Sequence, residues 1–373
     1  MIDTKGNLDV QKPDVINRHL KYAEAFDRKC SKRGEKGKLV VLGRNTNAYN
    51  FESQYLNITK MTDSKWLHLY FWETRKFLSR EKGSAITLVA GDPWHSTLIA
   101  LIIKFTISKR VLIESQLHFD FLNFFKTKGF FLSKVLPKMT LSILGFVDQI
   151  RVVDRNSLEL LQNRINQNIK VYLAPSLINV DSTFTCSRNA GRNLVPRLLF
   201  VGRLHEERNP KDFIKFLRRL DSTGFKFEAQ IVGSGPQEEE LKSNSSDLVA
   251  RNVLNFTGAL SGGELLEQYC RSDVLISCAK HESYGRAMRE ALYLGAKVLT
   301  FETTGSSSLQ KEIGAKFVSY VSTDETPDQL VSKIEALVEI EVDSDTKQQL
   351  GKSQDAILET LSDHWDALIE QSV

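Results

Sequence analysis

Two arginines, Arg203 and Arg208, stand five residues apart just after the apolar run 197–202. Both guanidinium groups stay charged at any working pH, and their planar forks bind phosphate oxygens in pairs. We therefore predict that the two side chains straddle a diphosphate. The competing interpretation is a solvated loop in which an arginine forms a salt bridge with Glu206 or Glu207.

Two glutamates, Glu282 and Glu290, flank the start of a predicted helix. Eight residues of helix cover about 12 Å, so one carboxylate can hold the hydroxyls of a hexose and the other those of a ribose. Between them, the backbone N–H groups of residues 283–286 form a helix N-terminus, which attracts phosphate. The competing interpretation is an acid favoured by the helix dipole followed by an ordinary surface acid.

Alternating strands and helices must position these side chains. In the second half of the chain, apolar runs end in polar or glycine-rich turns at 202–208, 233–236, 258–260 and 281–285. Such a pattern predicts a parallel sheet covered on both faces, with ligands bound beyond the carboxyl ends of its strands. The turn at 233–236 lacks the third glycine of the dinucleotide fingerprint, and no P-loop motif is present.

The first half of the chain shows the same alternation of apolar runs and helical periods. Predicted strands lie at 38–42, 85–90, 110–115 and 149–153. Residues 1–14 are too polar to predict a strand, and residues 188–194 are the predicted linker. The sequence therefore predicts a domain over 1–186, a second over 187–345, and a C-terminal helix over 346–373 that packs back toward the first.

The composition narrows the class of protein. The four cysteines are scattered without a Cys-x-x-Cys pair, which argues against a disulfide scaffold or a zinc site and fits a reducing compartment. No targeting segment or membrane-spanning run is visible, so a cytoplasmic protein is expected.

The charge is unevenly distributed along the 373 residues. Residues 1–190 carry 29 basic and 17 acidic side chains, whereas the rest of the chain is net acidic. No nucleic-acid-binding motif accompanies the basic half, which therefore suits a phosphorylated substrate or an anionic membrane. The competing interpretation is two solvated surfaces that attract each other across a cleft.

The turns of the second half occur together in a recognisable order. The segment LLFVGRLHEERNPKDFIKFL, followed by IVGSGPQEEEL and by VLNFTGALSGGELLEQYCRSDVLISCAKHESYGRAMREALYLGAKVLTFETTG, resembles retaining glycosyltransferases of family 4. The resemblance covers residues 197–315 and rests on Gly-Arg-Leu, Gly-x-Gly-Pro, Phe-x-Gly and Glu-x7-Glu. In the first half, QLHFDF at 116–121 and QIRVVDRNSLELL at 149–161 resemble the family's acceptor-domain segments, and KVYLAPSLINVDSTF its linker entry.

The resemblance implies the α/β fold called GT-B, in which two Rossmann-like domains with parallel sheets face each other across a cleft. It implies that Arg203 and Arg208 bind the donor diphosphate, Glu282 contacts the donor sugar and Glu290 holds the ribose. His118 would lie in the cleft beside the sugar, and Gly258 to Leu260 near the base. The implied catalytic residues are Glu282, His118 and Arg203. The implied donor-binding residues are Arg203, Arg208, Gly202, Gly233, Gly235, Gly258, Leu260, Ser283, Tyr284, Gly285 and Glu290.

The chain departs from the family pattern at three places. Position 208 is Arg where Lys is usual, and Tyr284 stands where Phe is common. The family also opens with a strand and a glycine-rich loop, of which Gly6 is the only trace in residues 1–14. These departures bear on diphosphate geometry and on acceptor binding.

The function implied is that of a retaining hexosyltransferase that uses a nucleotide diphosphate sugar, without cofactor or metal. The loops that follow the predicted strands contain no Asp-x-Asp metal motif, so cationic side chains would replace the metal ion. Front-face attack is expected, and the double-displacement alternative would require a carboxylate, for which Asp120 is the candidate. The acceptor would be a glycan or a lipid-linked sugar in cell-surface polysaccharide or glycoconjugate synthesis. The alternatives are an inactive scaffold subunit, a sugar-nucleotide epimerase and a phosphorylase.

A phenylalanine-rich segment at 121–138 suggests a membrane partner. It contains five Phe and four Lys, a composition found in helices that lie in a membrane interface. We predict peripheral docking on the anionic inner leaflet, where lipid-linked acceptors lie. The competing interpretation is that these phenylalanines pack into the core.

Overall fold

The computed structural model describes residues 1–3, 13–44, 51–62, 66–80, 85–119, 121, 130–180, 184, 186 and 195–370. The chain divides into two compact units, one of Met1–Leu177 with Asp355–Val373 and one of Ile178–Gln354. The first boundary therefore lies after residue 177 rather than 186, and the second after 354 rather than 345. The predicted linker at 188–194 lies outside the described residues.

The first unit is an α/β sheet structure. Its strands are β1 (Ile2–Asp3), β2 (Leu39–Arg44), β3 (Phe51–Glu52), β4 (Leu56–Thr62), β5 (Ala85–Ala90), β6 (Arg110–Leu117), β7 (Gln149–Val152) and β8 (Lys170–Leu173). Its helices are α1 (Pro13–Ser31), α2 (Leu67–Arg80), α3 (His95–Thr106), α4 (Phe130–Leu144) and α5 (Arg155–Arg164). Among the described strands the order is β3-β4-β2-β1-β5-β6-β7-β8, in which the edge pair β3 and β4 is antiparallel and the other pairs are parallel.

Strand β1 lies in the middle of this sheet although it has only two residues. Ile2 is fully buried and lies in register with Leu42 of β2 and Ala90 of β5. This corrects the expectation that residues 1–14 contain no strand. One buried side chain is enough for so short a strand, and a single apolar residue leaves no periodic signal in the sequence. Gly6 lies outside the described residues.

The described residues of the second unit form six parallel strands. They are β9 (Arg197–Val201), β10 (Glu228–Val232), β11 (Leu254–Gly258), β12 (Val274–Ser277), β13 (Lys297–Thr300) and β14 (Val318–Tyr320). Its helices are α6 (Pro210–Ser222), α7 (Glu238–Asn244), α8 (Ser246–Ala250), α9 (Gly262–Arg271), α10 (Arg286–Tyr293), α11 (Thr304–Ile313) and α12 (Pro327–Val338). The last helix, α13 (Ser344–Glu370), contributes its residues up to 354 to this unit and the others to the first.

The strand order of the second unit is β11-β10-β9-β12-β13-β14. The chain moves outward from β9 in one direction and from β12 in the other, so the order reverses between these two neighbours. In parallel sheets, such a reversal opens a crevice beyond the carboxyl ends of the two strands, and ligands bind there. Helix α6 has an apolar stripe, and its residues Phe213, Phe216 and Leu217 are buried against the sheet.

A disulfide joins Cys186 to Cys270, with their Cα atoms 5.6 Å apart. This corrects the expectation drawn from cysteine spacing. Cys270 is at the end of α9, and folding brings it next to a residue 84 positions earlier in the chain, which spacing alone does not reveal. In the chain-entropy description, closing a loop of this length contributes about 4–5 kcal/mol to the free energy of unfolding.

No helix within the described ranges is both long and apolar enough to span a bilayer.

Candidate functional site

The crevice at the carboxyl ends of β9 and β12 brings together residues from two separate motifs. Gly202 and Arg203 follow directly after β9, and the loop of His281 and Glu282 follows β12. Because the two strands pair in parallel, both loops start at the same edge of the sheet. The predicted phosphate-binding and sugar-binding motifs therefore share one location.

The central contact of this site is an ion pair between Arg208 and Glu282. Nη1 of Arg208 donates to Oε2 of Glu282, which is 74 residues further along the chain. Arg208 ends the short 3₁₀ helix Glu206–Arg208, and Asn209 turns the chain with a positive φ of 51°. The side chains are 38% and 17% exposed, so the pair is partly desolvated but still accessible.

Arg203 makes a different contact. Its Nη2 donates to Oε2 of Glu207 at 2.9 Å, and its side chain is 72% exposed. This is the Glu207 salt bridge that the competing interpretation of the loop allowed. An exposed pair of this kind contributes little to stability, so the guanidinium is available to exchange its partner for a stronger anion.

Three glycine-containing turns pack against one another through their backbones. We call these turns, at 202, 233–235 and 258, the platform. Gly202 N donates to Val232 O at 3.0 Å, and Gly233 N donates to Gly258 O at 2.8 Å. A Cβ atom on Gly233 would overlap the carbonyl oxygen of Gly202, and one on Gly235 would meet that of Leu204. The glycines are needed here because the backbones of the turns approach too closely for any side chain.

Replacing Gly233 by alanine should therefore separate the turns. We expect the Gly233→Ala variant to lose about 1–3 kcal/mol of stability and to bind sugar nucleotides more weakly, because the overlap is with backbone and cannot relax by rotation. Gly263→Ala is the matched control, since its Cβ meets nothing within 4 Å. Melting temperatures with and without ligand measure both effects, and equal behaviour of the two variants would contradict the close approach.

Gly258 belongs to the platform, and Leu260 follows it in the chain. Gly258 ends β11 with a φ of 75°, and its carbonyl accepts the hydrogen bond from Gly233. Leu260 is half-buried and packs against the core below. The family resemblance places the backbone of residues 258–260 near the nucleotide base. This backbone is hydrogen-bonded to the turn that contains Gly233.

The loop of Ser283, Tyr284 and Gly285 is held from several sides. Gly305 N donates to Glu282 O at 2.7 Å, and Gln354 Nε2 donates to Tyr284 Oη at 3.1 Å. Gly285 has a φ of 74° and precedes α10, so the helix begins at the crevice. The ring of Tyr284 is buried, which leaves the backbone of the loop to face a ligand.

Arg289 is a supporting residue that sequence reasoning missed. It is 1% exposed, its guanidinium lies 3.8 Å over the Tyr284 ring, and Nη1 donates to Tyr284 O. Nη2 donates to Glu312 at 3.0 Å. An arginine in a predicted helix is expected to be exposed to solvent, and nothing in the sequence marks Arg289 as different. Only the packing shows that this side chain holds the loop in place.

Glu290 is buried, with 4% of its surface exposed. Its carboxylate accepts hydrogen bonds from Asn179 N at 3.0 Å and from Tyr269 Oη at 3.1 Å, and Arg286 Nη2 approaches within 3.5 Å. The carboxylate is thus engaged by protein donors on three sides. A ribose hydroxyl would have to displace one of these donors from the carboxylate. The role of Glu290 toward ribose stays a prediction.

His118 belongs to the first unit, one residue beyond the end of β6. The side chain is exposed, and its Nε2 lies 3.1 Å from Gln116 Oε1. Gln116 Nε2 donates to Glu114 Oε1 at 2.8 Å, so the amide is oriented with its oxygen toward the imidazole. Nε2 of His118 must then carry the proton, which leaves Nδ1 as an acceptor.

Glu114 anchors this chain of hydrogen bonds. It is fully buried and also accepts from Gln149 at 2.6 Å, and its other donors are Tyr172 Oη at 2.6 Å and Trp365 Nε1 at 3.1 Å. Partial desolvation of the imidazole, followed by the nearby charges of Arg151 and Arg18, lowers the pKa of His118, so the ring is neutral at pH 7.

Two expectations have no structural test. Asp120, the candidate carboxylate for double displacement, lies outside the described residues. Within the described part of the chain, no three His, Cys, Asp or Glu side chains are grouped as a metal site. Metal independence remains a prediction.

Comparison with known proteins identifies the second unit. Residues 190–355 match the protein family described as Glycosyl transferases group 1. A 2-deoxystreptamine glucosyltransferase of Streptomyces kanamyceticus is 27% identical over 110 residues, which are 30% of this chain and 28% of that protein. The matched region thus spans less than a third of that relative's length.

Solved structures extend the similarity to both units. The lipopolysaccharide outer core galactosyltransferase WaaB aligns over 100% of this chain and 98% of its own, with a TM-score of 0.65 and 16% identity. HepE of Anabaena, solved with UDP-glucose, aligns over 97% and 98% with a TM-score of 0.65 and 14% identity. The predicted GT-B fold of two Rossmann-like units is therefore confirmed.

Proposed function

We propose that this chain, whose residues 190–355 form a domain of the group 1 glycosyltransferases, is a retaining, metal-independent hexosyltransferase. Its donor is a nucleotide diphosphate sugar, and its acceptor is a glycan or a lipid-linked sugar. The observation that carries the proposal is the meeting of Arg208 and Glu282 at the reversal point of the second sheet. A cation for the diphosphate and a carboxylate for the sugar lie side by side there.

The reaction places negative charge on the leaving diphosphate while the sugar becomes oxocarbenium-like. Fixed positive charge stabilises the transition state more than the ground state, because negative charge builds up on the diphosphate as the bond to the sugar breaks. Arg208, Arg203 and the amide groups of Ser283 to Gly285 at the start of α10 supply it. These groups take the place of a metal ion, and no other cofactor is required.

Glu282 changes partners during this cycle. Its carboxylate accepts a hydrogen bond from Arg208. A bound diphosphate competes for that guanidinium, which releases the carboxylate to accept hydrogen bonds from the hydroxyls of the sugar. Retention follows from front-face attack, in which the departing diphosphate takes the proton of the acceptor hydroxyl.

The role proposed for His118 is a contact with the donor sugar. With the proton held on Nε2 by Gln116, its Nδ1 accepts a hydrogen bond from a sugar hydroxyl. A neutral ring suits this position, because a second cation would oppose the positive charge that develops on the sugar.

The charge of the first half of the chain supports the proposed acceptor and location. The basic first half favours an acceptor attached to an anionic surface, such as a lipid-linked sugar on the cytoplasmic leaflet. Synthesis of a cell-surface polysaccharide or glycoconjugate is the process that uses such acceptors. Residues 122–129 of the segment 121–138, for which membrane contact was predicted, lie outside the described residues.

A thermal-shift screen with UDP-, GDP- and ADP-sugars tests the proposal. One of these donors should raise the melting temperature with the logarithm of its concentration, since only the folded state binds it. UDP-glucose is the first choice, because HepE was solved with it. If no sugar nucleotide raises the melting temperature, the proposal is wrong.

An inactive scaffold and an epimerase would also bind a sugar nucleotide, so this screen does not separate them from a transferase. A scaffold binds the donor but neither hydrolyses nor transfers it. An epimerase converts the sugar without an acceptor. Product analysis with and without acceptor separates both from a transferase, and addition of EDTA tests metal independence, since transfer should persist.

A further inference from the structure

Helix α3 is apolar on its outward face as well as on its inward face. Ile99, Ala100 and Ile103 are buried against the sheet. Leu98, Ile102 and Phe105 recur at helical spacing on the opposite side and are 42%, 49% and 79% exposed. A helix on the surface of a soluble domain normally presents polar residues there.

The neighbouring helices extend this exposed apolar surface. Arg75 of α2 donates to Thr106 O of α3 at 2.8 Å, so the two helices lie side by side. Beside and within α2, three more large apolar side chains are exposed: Trp66, Leu69 and Trp72. We call the six residues Trp66, Leu69, Trp72, Leu98, Ile102 and Phe105 the apolar face. A cluster of this size is uncommon on a surface that contacts only water.

The helices that carry the apolar face, and the segments next to them, are rich in basic residues. The described residues 66–80, 95–110 and 130–148 contain eight Lys and Arg but only two Asp and Glu. One of the acids, Asp148, is paired with Lys104 at 2.9 Å. A shallow cavity of about 360 Å³ beside α2 is lined by Lys60, Lys76 and Arg80 together with Met61, Phe77 and Glu73. Three cations around one depression suit a phosphate group.

We infer that the apolar face docks on an anionic lipid bilayer, with lipid phosphate groups in the basic cavity beside α2. Tryptophan and phenylalanine are suited to the boundary between headgroups and acyl chains, and each nearby Lys or Arg adds attraction to anionic lipid. A second copy of the chain fits less well, because both copies would bring the same positive charge to the interface. This inference deepens the proposed function and rests on it for the lipid-linked acceptor alone.

Vesicle sedimentation tests the inference with the full chain. We expect cosedimentation with vesicles of phosphatidylcholine containing phosphatidylglycerol, weak binding to phosphatidylcholine alone, and release by salt. The double variant Ile102→Ser with Phe105→Ser should reduce the partition coefficient about tenfold or more, since the apolar area no longer leaves water. The double variant Lys76→Glu with Arg80→Glu should abolish the preference for phosphatidylglycerol.

Val249→Ser is the control, since Val249 is an exposed apolar residue of the second unit and its removal should leave vesicle binding unchanged. Equal binding to both vesicle types, or unchanged binding of either double variant, would overturn the inference. So would a concentration-dependent dimer that the Phe105→Ser change dissociates, because a second copy would then occupy the face. The thermal shift with sugar nucleotides is measured on every variant, so loss of lipid binding and loss of donor binding are told apart.

Discussion

Replacing Arg208 by glutamine is expected to reduce the kcat of glycosyl transfer by about 10²–10³-fold, the usual effect of removing one preorganised group that stabilises developing negative charge. The side chain meets Glu282 at the crevice and is partly desolvated, so its charge is poorly screened by water. The loss should appear mainly in kcat, because the diphosphate carries its full charge only as it leaves. Initial rates at saturating donor measure the effect.

The conservative variant separates charge from geometry. Arg208→Lys keeps a cation at the position where the family usually has Lys, so we expect it to retain most of the activity. Arg218→Gln is the control, since it removes an exposed arginine paired with Asp247 on the surface of the same unit. A glutamine variant at 208 that transfers at the wild-type rate would show that the diphosphate is held elsewhere.

Replacing Glu282 by glutamine is expected to change binding and turnover in opposite directions. Without the carboxylate, Arg208 has no internal anion to exchange, so the free nucleoside diphosphate should bind up to about tenfold more tightly, a difference of 1.4 kcal/mol. Transfer should nevertheless fall by about 10²-fold or more, because the charge that stabilises the cationic sugar is absent. Isothermal titration and initial rates measure the two effects.

Glu239→Gln provides the matched control, since this side chain is 93% exposed on α7. It should behave as wild type in both measurements. Combining the changes at 208 and 282 should cost less than the sum of the single changes, since the two residues are in contact. Strict additivity, or weaker nucleotide binding in Glu282→Gln, would argue against the exchange of partners.

Much of the second unit was predictable from local signals. Short apolar runs that end in polar or glycine-rich turns indicated the strands. The motifs that follow β9 and β12 had to meet because parallel strands place their carboxyl ends at one edge. Only residue types and their order are needed for that inference.

The individual contacts were not predictable in the same way. Arg203 and Arg208 have the same chemistry and lie on the same loop, yet one pairs with Glu207 and the other with Glu282. Arg203 precedes the 3₁₀ turn Glu206–Arg208 and Arg208 ends it, so the two side chains leave the loop at different points. Arg289 illustrates the same limit, since a buried arginine and a solvated one look alike in sequence.

The sequence by itself determined the α/β class, the glycine turns and the group 1 glycosyltransferase motif, because each depends on neighbours along the chain. Only the tertiary structure decided which side chains touch: the Arg208–Glu282 pair spans 74 residues, the Cys186–Cys270 bond 84, and the apolar face combines two helices. The physical reason is that hydrophobic burial constrains the period of a segment, whereas ion pairs and exposed surfaces depend on how separate segments pack together.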